Sequence, residues 1–317
     1  MYPTPVQHLT ALSTPDSALW IKRDDLTHPR YGGNKVRKVE RLLDDAAARG
    51  ARSLVTVGAV GSNHVLTTGL FARERGMHVA AIVVAQPRTP HVIGNLRAAI
   101  ALGIELVPAS SFAVAGLKLA ARVAAGAHYV PAGGSNPVGA AGFVAAAHEL
   151  AAQVSAGELP EPDVVVVALG SGGTSGGLLA GLAQTSLRTK VLAVTVAEPP
   201  WLVERRALSL AAKCNPAASR SDLARRIEFT RTYLGTGYGH LTEGGALAME
   251  RAARAGLTLE PTYTAKAFAA ALDRVALAHE KTILYWHTLS SAPFEPLLRD
   301  APEPSAIPAE LARLARG

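Results

Sequence analysis

The chain has 317 residues, of which 49% are hydrophobic, 18% charged and only 5% aromatic, with Ala abundant. That balance excludes a disordered chain, and the length suits two domains with a core of small aliphatic side chains. The single cysteine, Cys214, excludes an internal disulfide framework and argues against a cysteine-based metal site, and the formal charge of +7 is spread over arginines interleaved with Ala and Glu, as on solvated helix faces rather than a nucleic-acid-binding stripe.

The N-terminus, Met-Tyr-Pro-Thr-Pro, has no charged start followed by an apolar stretch, and later apolar runs are broken by Gly, Pro or charge. The expectation is a cytoplasmic protein with no membrane span. Short β-rich runs follow at residues 53–57, 79–84, 104–107, 164–169, 191–196 and 282–286, with helical periodicity between them at, for example, 67–75, 92–101 and 112–124. Such alternation predicts an α/β fold of βαβ units, with mostly parallel sheets and helices on both faces. Residues 157–162, Gly-Glu-Leu-Pro-Glu-Pro, read as a surface connection and a domain seam, and a Pro- and Ala-rich tail from Pro302 precedes a last short helix.

Glycine- and polar-rich stretches interrupt this pattern at residues 32–38, 58–64, 133–142 and 170–177. Three lie at or near a handover from strand to helix, the end of a parallel sheet where α/β proteins bind ligands. The stretch Gly170-Ser-Gly-Gly-Thr-Ser-Gly-Gly177 opens a helix near Thr174. Its glycines let backbone approach a ligand, and a helix N-terminus presents N–H groups to an anion. It lacks the Gly-Lys-Ser/Thr ending of an ATP loop and the spacing of a dinucleotide loop. A monophosphate held by the amides of Gly170, Ser171, Gly172, Gly173 and Thr174 and by the hydroxyls of Ser171 and Thr174 fits better; the competing reading is a tight turn.

In Gly32-Gly-Asn-Lys-Val-Arg-Lys38, Lys35 follows a turn that can withdraw it from solvent. Burial lowers a lysine pKa, as a Schiff-base lysine requires. Lys38 lies one helical turn on, on the same face, and could neutralise a phosphate. A lone lysine would more simply be an exposed helix start. In Gly61-Ser-Asn-His64, Ser62 is the candidate N-cap, and the amides of Asn63 and His64 would face a ligand carboxylate. An ordinary capped helix is the alternative there.

Taken in order, Lys22-Arg-Asp-Asp25, Gly-Gly-Asn-Lys-x-Arg-Lys, Gly-x-x-x-Ser-Asn-His, Gly-Gly-Ser-Asn-Pro-x-Gly and Gly-Ser-Gly-Gly-Thr resemble the D-cysteine desulfhydrase and 1-aminocyclopropane-1-carboxylate (ACC) deaminase family. These are pyridoxal 5'-phosphate enzymes of the tryptophan-synthase β fold (fold type II). The resemblance runs over residues 5–293. It implies that Lys35 is the Schiff-base lysine and base, with Lys38 and the Gly170–Thr174 loop gripping the phosphate. Asn63 would meet the ring hydroxyl and Thr288 the pyridine nitrogen. Ser62, Asn63 and His64 would meet the substrate carboxylate, and Tyr238 and Tyr263 would be active-site tyrosines. A homodimer is implied too, with a small amino acid as substrate; the charge spacing, the broken apolar runs and the lack of a ligand cluster lead to no expectation of nucleic acid, membrane or transition metal. The implied domains are 1–44 plus 156–317, which carries the cofactor, and an inserted 45–155.

The implied reaction is β-elimination from a small amino acid, D-cysteine giving pyruvate, hydrogen sulfide and ammonia. In ACC deaminases a glutamate follows the second tyrosine and Gln follows Ser-Asn; here Thr264 and His64 stand at those positions, which favours the desulfhydrase branch. After His287-Thr288 the family's Gly-Gly is replaced by Leu289-Ser290-Ser291, expected to narrow the wall beside the cofactor nitrogen. Cysteate, β-chloroalanine or O-acetylserine are alternative substrates, ACC ring opening an alternative reaction, and a regulatory protein that binds the cofactor without turnover an alternative class.

Overall fold

In the computed structural model, which describes residues 2–315, β-branched runs become strands and the Ala/Leu stretches between them become helices. The strands are β1 (Val6–His8), β2 (Ala18–Lys22), β3 (Ser53–Ala59), β4 (His78–Val84), β5 (Glu105–Pro108), β6 (His128–Val130), β7 (Val164–Leu169), β8 (Lys190–Thr195), β9 (Ile227–Thr230) and β10 (Thr282–Trp286). The helices are α1 (Asn34–Ala48), α2 (Asn63–Glu74), α3 (Pro90–Ala101), α4 (Phe112–Ala124), α5 (Pro137–Ser155), α6 (Gly173–Leu182), α7 (Pro200–Cys214), α8 (Arg220–Arg225), α9 (Glu243–Arg254), α10 (Thr264–Leu277) and α11 (Ala309–Leu314). Side-chain caps begin several of them. Ser62, Thr89, Ser111, Asn136 and Thr242 each accept a backbone N–H of the first turn, and Pro90 and Pro137 occupy the first helical position, where no N–H is needed.

The chain folds as two compact units, one running up to Lys38 together with Ser135–Ala292, the other Val39–Gly134 together with the segment from Pro293 on. The first holds a sheet of order β1-β2-β10-β7-β8-β9, parallel except for β1. Alternation along its central strands sorts the core into two layers. Val164 and Val166 of β7, with Ile283 and Tyr285 of β10, pack against α10; Val165 and Val167, with Leu284 and Trp286, pack against α5 and α6. A strand buried on both faces reads as a continuous apolar run, which is why β7 is Val-Val-Val-Val-Ala-Leu. The second unit holds a fully parallel sheet of order β5-β4-β3-β6, with Val55, Val57, Ala80, Ile82 and Val84 in its core.

This division differs from the expected 45–155 insertion at both ends. Helix α5 belongs with α6, because Gly177 and Gly181 let the helices meet: a Cβ at Gly177 would stand 2.4 Å from the Ala140 carbonyl oxygen, and one at Gly181 2.6 Å from Ala147 Cβ. The C-terminal segment belongs with the second unit, where Gln86 N–H donates to Leu314 O at 2.9 Å, Arg97 Nε donates to Pro302 O at 2.6 Å, and Phe294 lies against Gly94. No helix among the described residues is long and apolar enough to cross a membrane.

Candidate active site

In the first unit, Lys35 is set by the turn before α1. Gly33 takes φ +92°, in the left-handed region, and a Cβ there would lie 2.6 Å from Thr288 O; a Cβ on Gly32 would lie 2.0 Å from Asp25 O. Gly33 N–H donates to Asp24 O at 2.9 Å and Asn34 N–H to Thr288 O at 3.1 Å, so the helix start is tied to the chain on both sides. Burial lowers the Lys35 ammonium to about 8, with the Glu260 carboxylate opposing the shift. Its Nζ lies 5.8 Å from the centre of the Tyr263 ring. Lys38 is buried, and burial, followed by the like charge of Lys35, pushes it well below the usual lysine range.

The loop after β7 closes on Lys38. A Cβ on Gly173 would lie 2.6 Å from Ser135 Oγ and 3.2 Å from Lys38 Nζ, and one on Gly170 would lie 2.9 Å from Tyr263 Cε1. Gly172 has φ +93° and backs onto Ala207 of α7. Gly173 N–H donates to Ser135 Oγ at 3.1 Å, Ser135 and Ser171 hydroxyls are 2.7 Å apart, and Asn34 Nδ2 donates to Thr174 Oγ1 at 3.0 Å. A glycine cradle at the N-terminus of α6, lined by hydroxyls and backed by the buried Lys38 amine, fits a phosphate group by its shape and its donors, and a bound phosphate would favour the charged form of Lys38. The sequence reading gave the Gly173 amide to the phosphate, whereas Ser135 accepts it. Ser135 lay in a stretch already singled out, but a serine between glycine and asparagine carries no mark of its own.

Tyr238 and Tyr263 meet hydroxyl to hydroxyl at 2.6 Å, with rings edge to face. Burial raises Tyr238 to about 12 and Tyr263 well above its usual range. Glu260, which the sequence reading missed, organises this corner. Its Oε1 accepts the N–H groups of Tyr263 at 2.7 Å and Thr264 at 2.9 Å, and its Oε2 that of Thr262 at 2.8 Å. Thr264 donates its hydroxyl to Glu260 as well, so this side chain serves the start of α10. Lys266 Nζ donates to Leu234 O at 2.7 Å and Gly237 O at 3.0 Å, which fixes the loop bearing Tyr238.

Thr288 is half-buried and follows His287, whose wholly buried imidazole is lowered to about 4 by desolvation. In Leu289-Ser290-Ser291, which stands where the family's Gly-Gly was expected, both hydroxyls bond the framework. Ser290 Oγ accepts Gly32 N–H at 2.8 Å, and Ser291 Oγ donates to Asp25 Oδ2 at 2.6 Å. The Lys-Arg-Asp-Asp motif is framework too: Lys22 donates to Glu149, Gln153 and Thr4 O, while Asp24 accepts from Arg37, Trp286 and Thr4.

In the second unit, Ser62 is the N-cap of α2, and its Oγ accepts the N–H groups of His64 at 3.2 Å and Val65 at 3.4 Å. The His64 amide, expected to face a ligand, is therefore occupied, and its buried imidazole lies 3.0 Å from Thr56 Oγ1. Asn63 Oδ1 accepts from Asn95 Nδ2 at 2.7 Å and stands 2.9 Å from His91 Nε2. These contacts fix which end of the Asn63 amide is which. Asn95 also donates to Gly61 O, tying the loop to α3. Neither His91 nor Asn95 stands out in sequence, since each lies 28 or more residues from Asn63 on another helix.

A family model described as "Pyridoxal-phosphate dependent enzyme" matches residues 1–288. Similar curated proteins include a D-cysteine desulfhydrase of Klebsiella pneumoniae, 34% identical over 303 residues, covering 90% of this chain and 91% of that protein. A putative 1-aminocyclopropane-1-carboxylate deaminase of Pyrococcus furiosus is 34% identical over 306 residues, 90% of this chain and 88% of that one. Among solved structures, an ACC deaminase homologue superposes with a TM-score of 0.77 at 28% identity, over 95% of this chain and 94% of that one. A hydrogen sulfide-producing enzyme of Fusobacterium nucleatum shares the fold, with a TM-score of 0.66 at 16% identity over 92% and 95% of the two chains.

Proposed function

The chain belongs to the pyridoxal-phosphate-dependent enzymes, and from that premise we propose that it eliminates a leaving group from Cβ of a small amino acid, as a D-cysteine desulfhydrase does: D-cysteine and water give pyruvate, hydrogen sulfide and ammonia. The observation that carries the reading is the Lys35 amine, lowered to about 8 beside a cradle that suits a phosphate and beside the Tyr238–Tyr263 pair. Lys35 would hold the aldehyde carbon of the cofactor, Lys38 and Gly170–Thr174 its phosphate, Thr288 its pyridine nitrogen and Asn63 its ring hydroxyl. When bound, the cofactor draws electrons from the bonds at the substrate's Cα.

The residues then divide the proton work. Lys35 Nζ, neutral in part at physiological pH, takes the α-proton. Tyr238 and Tyr263, with pKa values raised by burial, stay protonated and can donate to the departing sulfur. Ser62, Asn63 and His64 form the loop assigned to the substrate carboxylate, with Ser62 and the buried His64 ring holding it in shape. We propose a homodimer as well, as the resemblance of the motifs implies, which sedimentation velocity checks, and a cytoplasmic location.

A panel of β-substituted amino acids in both enantiomers, with ACC beside them, tests the reading by the pyruvate, sulfide and ammonia released. Sulfide and pyruvate from D-cysteine are expected. Ammonia from ACC alone would replace elimination by ring opening, and no turnover of any member would leave a protein that only binds the cofactor. Purified protein is expected to absorb near ~420 nm, and borohydride to fix the cofactor on Lys35. Lys35→Ala should abolish both the label and turnover.

A further inference from the structure

We infer that Ser290 and Ser291 are positioning residues that hold the Lys35 turn in register with Thr288, so that the two groups assigned to opposite ends of the cofactor ring are fixed relative to one another. The inference rests on the assignment of Lys35 and Thr288 above. Its carriers are four bonds between the segment after β10 and the turn before α1. Ser290 Oγ accepts Gly32 N–H at 2.8 Å, and Ser291 Oγ donates to the buried Asp25 Oδ2 at 2.6 Å. Ser291 N–H donates to Asp25 O at 3.3 Å, and Asn34 N–H to Thr288 O at 3.1 Å. Gly33 lets the two segments touch, since a Cβ there would lie 2.6 Å from Thr288 O and 3.2 Å from Ser290 N.

The chemistry of the pair explains why hydroxyls stand here. Gly32 is buried and its N–H precedes the helix, so it has no helical acceptor. Ser290 Oγ supplies one from inside the same short segment that carries Thr288. The same Oγ accepts Ala292 N–H at 3.2 Å, which sets the bend of the segment. Asp25 already pairs with Arg23 through both oxygens, and Ser291 adds a donor to Oδ2. With the two hydroxyl bonds the spacing between Lys35 and Thr288 is fixed by a closed loop of hydrogen bonds; without them the link rests on the backbone bonds Asn34–Thr288 and Ser291–Asp25, the Gly33 contact and the β2–β10 pairing.

The test compares Ser290→Ala, Ser291→Ala and Ser290→Thr with the unaltered holoenzyme. Loss of either hydroxyl should weaken pyridoxal phosphate retention, followed by absorbance during dialysis, by about tenfold and lower kcat similarly, the size of one lost bond, with Gly32 N–H left over in Ser290→Ala and Asp25 Oδ2 one donor short in Ser291→Ala. KM should move less than kcat, because the loop assigned to the substrate carboxylate belongs to the other unit and makes none of these bonds. Ser290→Thr, which keeps the acceptor, should restore both. If Ser290→Ala fails to fold, Ser291→Ala and Ser290→Thr decide on the same readouts. Unchanged cofactor retention and kcat in Ser291→Ala, or a fall in melting temperature with retention and the kcat-to-KM split unmoved, overturns the inference. If unaltered protein takes no label at Lys35 under borohydride, the assignment of Lys35 fails instead, and the two failures are told apart.

Discussion

A buried ammonium is under pressure to lose its proton, and the carboxylate nearest to it sets how far that pressure succeeds. At Lys35 burial lowers the pKa and Glu260 works against it. Replacing Glu260 by Gln keeps one oxygen for the N–H groups of Tyr263 and Thr264, loses the acceptor of Thr262 N–H, and removes the charge. The Lys35 pKa should then fall below about 8, because the charge that favoured the ammonium is gone. Uptake of pyridoxal phosphate by the apoprotein, followed by absorbance across pH, should show its lower limb displaced to more acidic pH. An unmoved limb would mean that Glu260 only shapes the loop. Lys35 was legible because Gly-Gly-Asn before a lysine is a local signal. Glu260 was not, because Glu-Pro reads as a turn and its charge matters only once folding brings it near a residue 225 positions away.

The glycine cradle assigned to the phosphate lies at the N-terminus of α6, and glycines on α6 let α5 pack closely against it. A methyl at Gly177 would meet Ala140 O at 2.4 Å and Phe143 Cβ at 2.6 Å, neither of them a flexible tip. Gly177→Ala should therefore cost about 1–3 kcal/mol of stability as overpacking and should weaken cofactor retention, since the N-terminus of α6 moves with it. Gly116 is the contrast: exposed in the middle of α4, with nothing within 4 Å of an added Cβ. Gly116→Ala should raise stability by about 0.5–1 kcal/mol through helix propensity alone. Urea midpoints of the two variants should move in opposite directions. The same packing explains what sequence could and could not reveal. Long apolar runs such as β7 and β10 were legible, and so was the α/β class. Strands β1, β6 and β9 have only three or four residues and little apolar contrast, and β2 carries a buried lysine, so none has a period to read. The placement of α5 depended on a helix contact that no local pattern encodes.

Across the first unit, charge is buried as well as apolar surface, and this makes stability depend on pH. Lys22, Asp24, Arg37 and Glu149 form one connected cluster, with Lys22–Glu149 at 2.5 Å, Arg37–Asp24 at 2.7 Å and Arg37–Glu149 at 2.9 Å. Burial alone would raise the Glu149 carboxyl, but the bonds and charges of Arg37 and Lys22 win and hold it at about 2. His287, just after β10 and lowered to about 4 by desolvation, is kept neutral. Both groups are depressed, so both contribute stability that is complete at neutral pH. For His287 the unfolded chain takes up a proton below about 6.5, while the folded imidazole resists until about 4, so stability drains away across that interval and then levels. The total is about 3 kcal/mol at 1.36 kcal/mol per pKa unit. For Glu149 the loss begins as pH falls through 4.5 and runs toward 2. Urea unfolding at a series of pH values should thus show a first decline between about 6.5 and 4, from His287, and a second from about 4.5 toward 2, from Glu149, the two overlapping only between about 4.5 and 4. Replacing His287 by Phe, which keeps a ring against Tyr285 without a titrating nitrogen, should flatten the first decline and leave the second in place. A His287→Phe protein that declines between those pH values as steeply as the unaltered chain would show that its acid sensitivity originates in other groups.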